Sequence, residues 1–337
     1  MESQKTMKAA QVEEWGKPLK TVEVSIPKIS SSQVLVKMFY ASVNPSDILS
    51  SEGKNSITRS FPLPLTIGYE GTGEVVEVGK DFESKFKPGD KVFCVTMGTW
   101  AEYAVSEGDN CHHLPSDAPI DVAACSYVNP MTVYVMLLEL QAEGHKSVVH
   151  TAGSSSLGRM FIKVMKENGI KTINLVRNNA YIKELQEIGA DYVLNTKDED
   201  FEKKFKELVA SLDCRKVYDA IGGQFTGKLV WLMPKKSLIN VYGVLEGDLQ
   251  IHADFWALLS QDSKIGGFLL PVAMQNYPKE KIAEGYQKIF AGLKGTYATK
   301  ISKVFSLDEV HEAIKYSQEH GSEGKVLLSP ARLGIKG

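Results

Sequence analysis

The chain has 337 residues, 43% of them hydrophobic and 24% charged, with a formal net charge of −2. That length allows two domains with ordinary apolar cores, and the even charge balance argues against a nucleic-acid binder or a protein that docks on anionic membranes. No apolar stretch reaches the ~20 residues of a membrane span. The N-terminal MESQKTMK has no apolar signal core and is too short for an Arg-rich transit peptide. A soluble cytoplasmic protein is therefore expected, with a mitochondrial location as the alternative.

In chain order, residues 8–106 read as short strands broken by Gly and Pro, with candidates at 9–12, 19–24, 33–41, 73–78 and 91–95. Pro88-Gly89-Asp90 forms the turn before the last of these, and a polar loop at 50–60, closed by Pro62 and Pro64, interrupts the series. Strands at this spacing without intervening helices point to a β-barrel or sandwich-like module. Cys94, Cys111, Cys125 and Cys214 are scattered, with no C-x-x-C pair and no structural-zinc spacing. Neighbouring side chains of an extended segment face opposite ways, so Cys111-His112-His113 makes a poor chelate and reads as ordinary strand or loop.

From residue 121 the period changes. Helical stretches at 121–127 and 132–140 flank a break at Asn129-Pro130. Strands at 192–194, 216–219, 238–242 and 265–269 then alternate with helices at 183–188, 201–212 and 225–233. After Pro271 come an amphipathic stretch at 281–293, a strand at 303–305, a helix at 308–319 and a strand at 325–328.

The stretch 147–178 organises this second part. A short apolar strand leads through a tight turn into Leu157, Met160, Phe161, Val164 and Met165 at helical spacing, and Gly169 stops the helix before an apolar strand at 172–176. That is one strand–helix–strand unit of the size of a dinucleotide-binding βαβ. With the four later strands it makes six, as in a doubly wound parallel sheet. The turn is an imperfect G-x-G-x-x-G, with Gly153, then Ser155 in the second glycine's place, then Gly158. In that fingerprint the first glycine permits the turn, the second lets the backbone approach a pyrophosphate, and the third permits close helix–strand packing. Ser154, Ser155 and Ser156, followed by Leu157, offer hydroxyls and backbone amides to a phosphate on the helix N-terminus. A Gly- and Ser-rich turn without any ligand is the plain alternative. NAD enzymes place an acid about 20 residues further on. Here no acid occurs between Asn168 and Tyr181, and Arg177 stands in that place. A guanidinium suits a 2′-phosphate, so NADPH is expected over NADH; a solvated arginine at a strand end is the other reading. Gly222, Gly243 and Phe268 close later strands at the carboxyl edge of the sheet, where the nicotinamide half would lie.

Motifs along nearly the whole chain carry a family resemblance. Asn44-Pro45-Ser46-Asp47, Gly68-Tyr69-Glu70-Gly71-Thr72-Gly73, Lys87-Pro88-Gly89-Asp90-Lys91-Val92 and Gly98-Thr99-Trp100-Ala101-Glu102-Tyr103 come first. Asn129-Pro130-Met131-Thr132-Val133-Tyr134, the turn at Gly153, Asp219-Ala220-Ile221-Gly222-Gly223 and Gly324-Lys325-Val326-Leu327 follow. In this order they resemble the medium-chain dehydrogenase/reductase superfamily from residue 7 to 329. The resemblance implies an α/β protein in which a doubly wound, Rossmann dinucleotide-binding domain (residues 125–270) is inserted into a GroES-like, mainly-β catalytic domain (residues 1–124 and 271–337).

The zinc-dependent alcohol dehydrogenases of that family carry a histidine ligand where Tyr69 stands and a cysteine ligand where Asn44 stands, and the four-cysteine loop is missing, so no metal is expected. The closer similarity is to the zinc-free branch of quinone oxidoreductases and 2-enoyl thioester reductases. It implies NADPH-dependent hydride transfer to an activated C=C or a quinone, with an enoyl thioester, enone or quinone as substrate. A homodimer through an edge of the nucleotide-domain sheet would also match the family. Enoyl thioester reductases carry a catalytic tyrosine in a Gly-x-Tyr context, where this chain has Gly53-Lys54-Asn55. Asn55 can donate a hydrogen bond but cannot act as an acid. Tyr69 is either the substitute donor or a tyrosine packed with its hydroxyl satisfied.

By motif position, Asn44 and Thr132 stand nearest the nicotinamide, Asn44 orienting substrate or cofactor without transferring protons. Glu70 reads as a buried pairing group, Asp47 as a residue that fixes its loop, and Lys325 as a lysine reaching cofactor or substrate. Two function classes stay open. One is a zinc-independent NADPH-dependent reductase of a small molecule. The other is an NADPH-binding scaffold or accessory subunit that has lost efficient chemistry.

Overall fold

In the computed structural model, which describes residues 5–330, the chain begins with strands β1 (Thr6–Val12), β2 (Lys20–Ser25), β3 (Gln33–Val43), β4 (Leu65–Thr66), β5 (Glu70–Val78), β6 (Lys91–Val95), β7 (Tyr103–Glu107) and β8 (Cys111–His113). Alternate residues of β3 face one way, and Val34, Val36 and Met38 bury against Val75, Val92 and Phe86. Helix α1 (Pro45–Ser51) occupies the start of the stretch read as a loop. Proline at the first helical position and an acid in the first turn are helix-start signals that the polar composition concealed.

Two further expectations change between residues 120 and 142. Helix α2 (Ile120–Ala123) is shorter than the helix expected there, and α3 (Val128–Ala142) begins before Asn129-Pro130 instead of breaking at it. Pro130 lies in the first turn of α3, where a backbone N–H has no intrahelical partner in any case.

The middle of the chain then alternates β9 (Ser147–His150), α4 (Ser156–Glu167), β10 (Lys171–Val176), α5 (Ile182–Glu187), β11 (Tyr192–Asn195), α6 (Phe201–Ser211), β12 (Lys216–Asp219), α7 (Gly223–Leu232), β13 (Leu238–Val241), α8 (Phe255–Gln261), β14 (Lys264–Gly267) and α9 (Leu270–Met274). All six strands run parallel in the order β11-β10-β9-β12-β13-β14. The order reverses between β9 and β12, the topological switch point of a doubly wound sheet, and ligands of such sheets bind outside the carboxyl ends there. Val149, Ile173, Val217 and Ile239 of the strands pack with Phe205, Val209, Leu229 and Val230 of the helices. Each such fully buried side chain stabilises the sheet by roughly 1.5–3 kcal/mol relative to exposure.

The chain continues through α10 (Lys279–Ala291), β15 (Ile301–Phe305), α11 (Val310–Glu319) and β16 (Lys325–Leu328). β16 pairs antiparallel with β3, so early and late segments share one sheet of order β15-β16-β3-β5-β6-β8, with β7 also on β3. β2, β1 and β4 form a second, three-stranded sheet. The described residues form two compact units: 5–130 with 286–330, and 131–285. The sequence reading set the limits at 124/125 and 270/271, whereas these fall inside α3 and α10, because a change in composition does not mark where a helix continues through it. Residues 1–4 and 331–337, and with them the start of the segment read for targeting signals, lie outside the described residues. No helix among the described residues is long and apolar enough to cross a membrane.

Candidate functional site

In the second unit the turn between β9 and α4 is closely fixed. Gly153 donates its N–H to the Leu175 carbonyl at 2.9 Å, which hooks the turn onto β10. A Cβ on Gly158 would lie 2.4 Å from the Gly153 carbonyl oxygen and 2.8 Å from that of Ala152, so only glycine lets α4 lie this close. Ser155 is the N-cap of α4, and its Oγ accepts the Gly158 N–H at 3.0 Å while keeping its own proton to donate. Ser156 and Leu157 open the helix, and Leu157 is buried, so only its backbone N–H is free to serve a ligand at this helix end. The Ser154 carbonyl accepts from the Arg159 guanidinium, whose other nitrogens pair with Glu184 at 2.6 and 2.9 Å. Arg159 therefore braces the turn, a role the sequence reading did not assign. Arg177 is different. It follows β10 directly, is exposed, and has no ion-pair partner among the described residues.

Beneath the turn the carboxyl ends of the strands form a polar layer. Thr151 donates to Asp219 Oδ1 at 2.8 Å and accepts the Ala220 N–H at 2.7 Å, while Thr226 donates to Asp219 Oδ2 at 2.6 Å. Gly222, at φ +80°, donates its N–H to Asp219 Oδ2 at 3.2 Å. A Cβ there would come within 3.3 Å of the Gly243 carbonyl oxygen, so these two glycines meet where β12 and β13 end. Phe268 follows β14, but its ring packs edge-on against Tyr218 at 5.6 Å in the wall of a cavity of about 330 Å³ that Glu139, Glu143 and Asn240 also line. His150 is fully buried against Phe161, bonded to the Tyr242 hydroxyl at 2.8 Å, and burial pushes its pKa down to about 3. It is a neutral member of this floor.

The first unit contains two polar clusters. In the inner one, Asn44 donates from Nδ2 to Ser42 Oγ at 2.7 Å and to Glu70 Oε1 at 2.9 Å, while its Oδ1 accepts from the Lys325 ammonium. Both amide hydrogens of Asn44 are thus engaged within the protein. Glu70 also accepts from Ser42 and, through Oε2, from the N–H groups of Tyr127 at 2.7 Å and Val128 at 3.1 Å. A buried carboxylate at the N-terminus of α3 is held by charge-assisted bonds and by the helix dipole. Lys325, read as reaching cofactor or substrate, is only 6% exposed and directs its ammonium at Asn44 and, at 3.4 Å, the Val43 carbonyl. Asp47 is fully buried; its Oδ2 accepts the Asn44 N–H at 2.8 Å and its Oδ1 has no partner. Desolvation, opposed by the Asn44 N–H and Lys325 and reinforced by Glu70, pushes the Asp47 pKa up to about 7.

The outer cluster joins the two residues that share the question of the proton donor. Asn55 directs Nδ2 at the Tyr69 hydroxyl at 3.3 Å. The same hydroxyl lies 2.9 Å from Ser50 Oγ and 2.8 Å from Thr58 Oγ1. Ser50 and Thr58 are fully buried and Tyr69 and Asn55 half-buried, which gives the cluster an inner and an outer side. Thr132 belongs to the second unit, 6% exposed on α3, and is not part of either cluster.

Residues 30–116 match the family model described as the alcohol dehydrogenase GroES-like domain, and residues 156–283 that described as zinc-binding dehydrogenase. The mitochondrial enoyl-acyl-carrier-protein reductase of Rattus norvegicus is 32% identical over 281 residues, covering 80% of this chain and 74% of that protein. Its namesake from Arabidopsis thaliana is 32% identical over 274 residues, covering 78% and 72%. A solved structure from Mesorhizobium loti, provisionally named an NADPH:quinone reductase, matches with a TM-score of 0.84 at 30% identity, covering 98% of this chain and 100% of that one. Among the described residues no three His, Cys, Asp or Glu side chains group as metal ligands. The chain belongs to the medium-chain dehydrogenase/reductase superfamily, in its zinc-free branch of quinone oxidoreductases and enoyl thioester reductases.

Proposed function

We propose that the protein is an NADPH-dependent, zinc-independent oxidoreductase that reduces an activated C=C bond or a quinone, with an enoyl thioester, enone or quinone as substrate. The observation that carries the cofactor assignment is Arg177, exposed at the end of β10 without an acidic partner among the described residues, next to a turn whose glycines admit no side chain. The relatives' names, enoyl-acyl-carrier-protein reductase and NADPH:quinone reductase, support the reaction class. Bound NADPH supplies a hydride, and the chain's own residues bind, orient and deliver a proton.

In this reading the N–H groups of Ser156 and Leu157 and the hydroxyls of Ser154 and Ser155 hold the pyrophosphate, Gly153 and Gly158 keep the backbone close, and Arg177 pairs with the 2′-phosphate. Gly222 and Gly243 leave room at the strand ends for the nicotinamide half, and Thr132 offers it a hydroxyl. Hydride addition to an enoyl β-carbon leaves an enolate that needs a proton at the α-carbon. Tyr69 supplies that proton, and Asn55 donates to its oxygen. Asn44, with Lys325 on its carbonyl, holds α1 and the Glu70 carboxylate in place. Phe268 serves through the packing of its ring.

A second reading, an NADPH-binding scaffold without efficient chemistry, is favoured by the full engagement of the Asn44 amide and by asparagine at the subfamily's tyrosine position. Titration with NADPH, then with each substrate class under turnover, separates the two. Binding without turnover supports the scaffold, and turnover lost in Tyr69→Phe supports the reductase. The compartment reading is cytoplasmic, with mitochondrial as the alternative that the relatives' names favour.

A homodimer completes the reading. Trp231, Leu245, Leu249, Ile251, Phe255, Trp256 and three further exposed large apolar side chains fall between residues 231 and 272, at 40–68% exposure. Exposed large apolar side chains gathered in one stretch of chain are of the kind that a partner surface covers. β14 is an open sheet edge in the same stretch, free to pair with its copy. Light scattering on the wild type and Trp256→Glu tests this, with a dimer that dissociates as the expected result.

A further inference from the structure

We propose that Ser50 and Thr58 are positioning residues that set the direction of the Tyr69 hydroxyl proton, Ser50 as its resting acceptor and Thr58 as a donor to the oxygen it leaves. This rests on the reading of Tyr69 as the proton source. The argument is a count of protons. Ser50 Oγ lies 2.8 Å from the Ser46 carbonyl, which can only accept, so the single Ser50 proton is committed there. Towards Thr58 at 2.9 Å and Tyr69 at 2.9 Å, Ser50 can therefore only accept.

Asn55 Nδ2, at 3.3 Å from both Ser50 Oγ and Tyr69 Oη, can only donate. Its Oδ1 accepts the Ile57 N–H at 3.0 Å, which fixes the amide's orientation without reference to its Nδ2 contacts. At rest the Tyr69 O–H points to Ser50, and Thr58 and Asn55 donate to the Tyr69 oxygen. During reaction the Tyr69 O–H bond breaks and a C–H bond forms at the substrate α-carbon, using the electron pair of the enolate. The O–H pair stays on the Tyr69 oxygen, which still accepts from Thr58 and Asn55, and solvent restores the proton after product leaves. The Tyr69 oxygen therefore keeps two donors, Thr58 and Asn55, before and after transfer; the single Thr58 proton, given to Tyr69, is not shared with Ser50, which accepts from Tyr69 at rest and from Asn55 throughout. The asparagine in the subfamily's tyrosine position then has a role as donor to the displaced phenol.

The test uses the full chain with Thr58→Val, Thr58→Ser, Ser50→Ala and Tyr69→Phe, assayed with whichever substrate class the wild type reduces. Thr58→Val is expected to lower kcat by about tenfold or more, part of what a positioned general acid contributes, with KM and the NADPH Kd little changed. Thr58→Ser restores most of kcat. The solvent deuterium isotope effect on kcat rises in Thr58→Val and Ser50→Ala, while the effect from 4-deuterated NADPH falls. An independent reading needs no turnover. In protein labelled with 13Cζ-tyrosine, the Tyr69 signal, identified by its loss in Tyr69→Phe, is expected to report a slowly exchanging hydroxyl that exchanges faster in Thr58→Val.

Wild-type turnover with unchanged kcat and isotope effects in Thr58→Val overturns the inference and leaves the reductase reading standing. A wild type that reduces none of the three classes overturns the reading. An unaltered Tyr69 hydroxyl exchange in Thr58→Val overturns the positioning role whether or not the protein turns over.

Discussion

Replacing Glu70 by glutamine tests whether the inner cluster is a structural joint. The carboxylate accepts four hydrogen bonds: Ser42 and Asn44 on Oε1, and the Tyr127 and Val128 N–H groups on Oε2. Glutamine must turn its NH2 towards one pair. Towards α3 it would face two backbone donors that cannot turn away. Towards Ser42 it faces a hydroxyl that can reverse and an amide Nδ2 that cannot, so this is the less damaging orientation. Even so, one bond is lost and the others exchange a charged acceptor for a neutral one. With charged hydrogen bonds contributing about 1.5–3 kcal/mol and neutral ones about 1, the net loss is at least about 3 kcal/mol. At about 2–4 °C per kcal/mol for a unit of this size, the first unit's midpoint should fall by roughly 10 °C. Trp100 reports locally, since its indole N–H donates to the Ser42 carbonyl at 3.0 Å. Urea and thermal unfolding followed by tryptophan fluorescence in a Trp231→Phe, Trp256→Phe background, which leaves only Trp15 and Trp100, reads that unit. A loss below about 1 kcal/mol would refute the assignment of Glu70 as the joint.

Asp47 gives a pH signature: a carboxyl whose folded pKa is raised to about 7 binds its proton more tightly folded than unfolded, so its ionisation opposes folding. Stability is then greatest below the ordinary carboxylate value near 4, falls as pH rises towards 7 and levels off above it, a span of ~4 kcal/mol in all, of which the ~3 kcal/mol lying between pH 5 and 8 should largely disappear from urea midpoints of Asp47→Asn compared at those two pH values; parallel wild-type and variant profiles would contradict it. Arg177→Ala should weaken NADPH binding by about 10–100-fold, the worth of a charge-assisted phosphate contact, and leave NADH nearly unchanged in fluorescence titrations, whereas an equal loss for both would remove Arg177 from the 2′-phosphate. Gly158→Ala puts a Cβ 2.4 Å from a backbone oxygen, so NADPH binding should be lost with native far-UV dichroism kept, and an unchanged Kd would show the turn to be dispensable.

How far each part was legible follows from how local its cause is. The βαβ unit was readable because α4 repeats its buried residues every three or four positions and glycines bound it, all within one window of sequence. Helix α1 was hidden because its polar residues, among them Ser50 and Ser51, bury by bonding to the helix backbone and, for Ser50, to Thr58 and Tyr69. The inner cluster was out of reach for another reason. Asn44 and Lys325 lie 281 positions apart, and nothing periodic in either segment announces that β16 will pair with β3 and bury the lysine beside the amide. Ser155 was half legible: its place in the fingerprint suggested a phosphate ligand, and the structure adds that it caps α4.

The measurement that tests the central claim most directly is NADPH oxidation by the purified full chain against enoyl thioesters, enones and quinones, with NADH in parallel. The account predicts substrate-dependent turnover of one class, a preference for NADPH of about tenfold or more, and its loss in Tyr69→Phe. Tight NADPH binding with no oxidation by any of the three classes would contradict it and leave the cofactor-binding scaffold as the function.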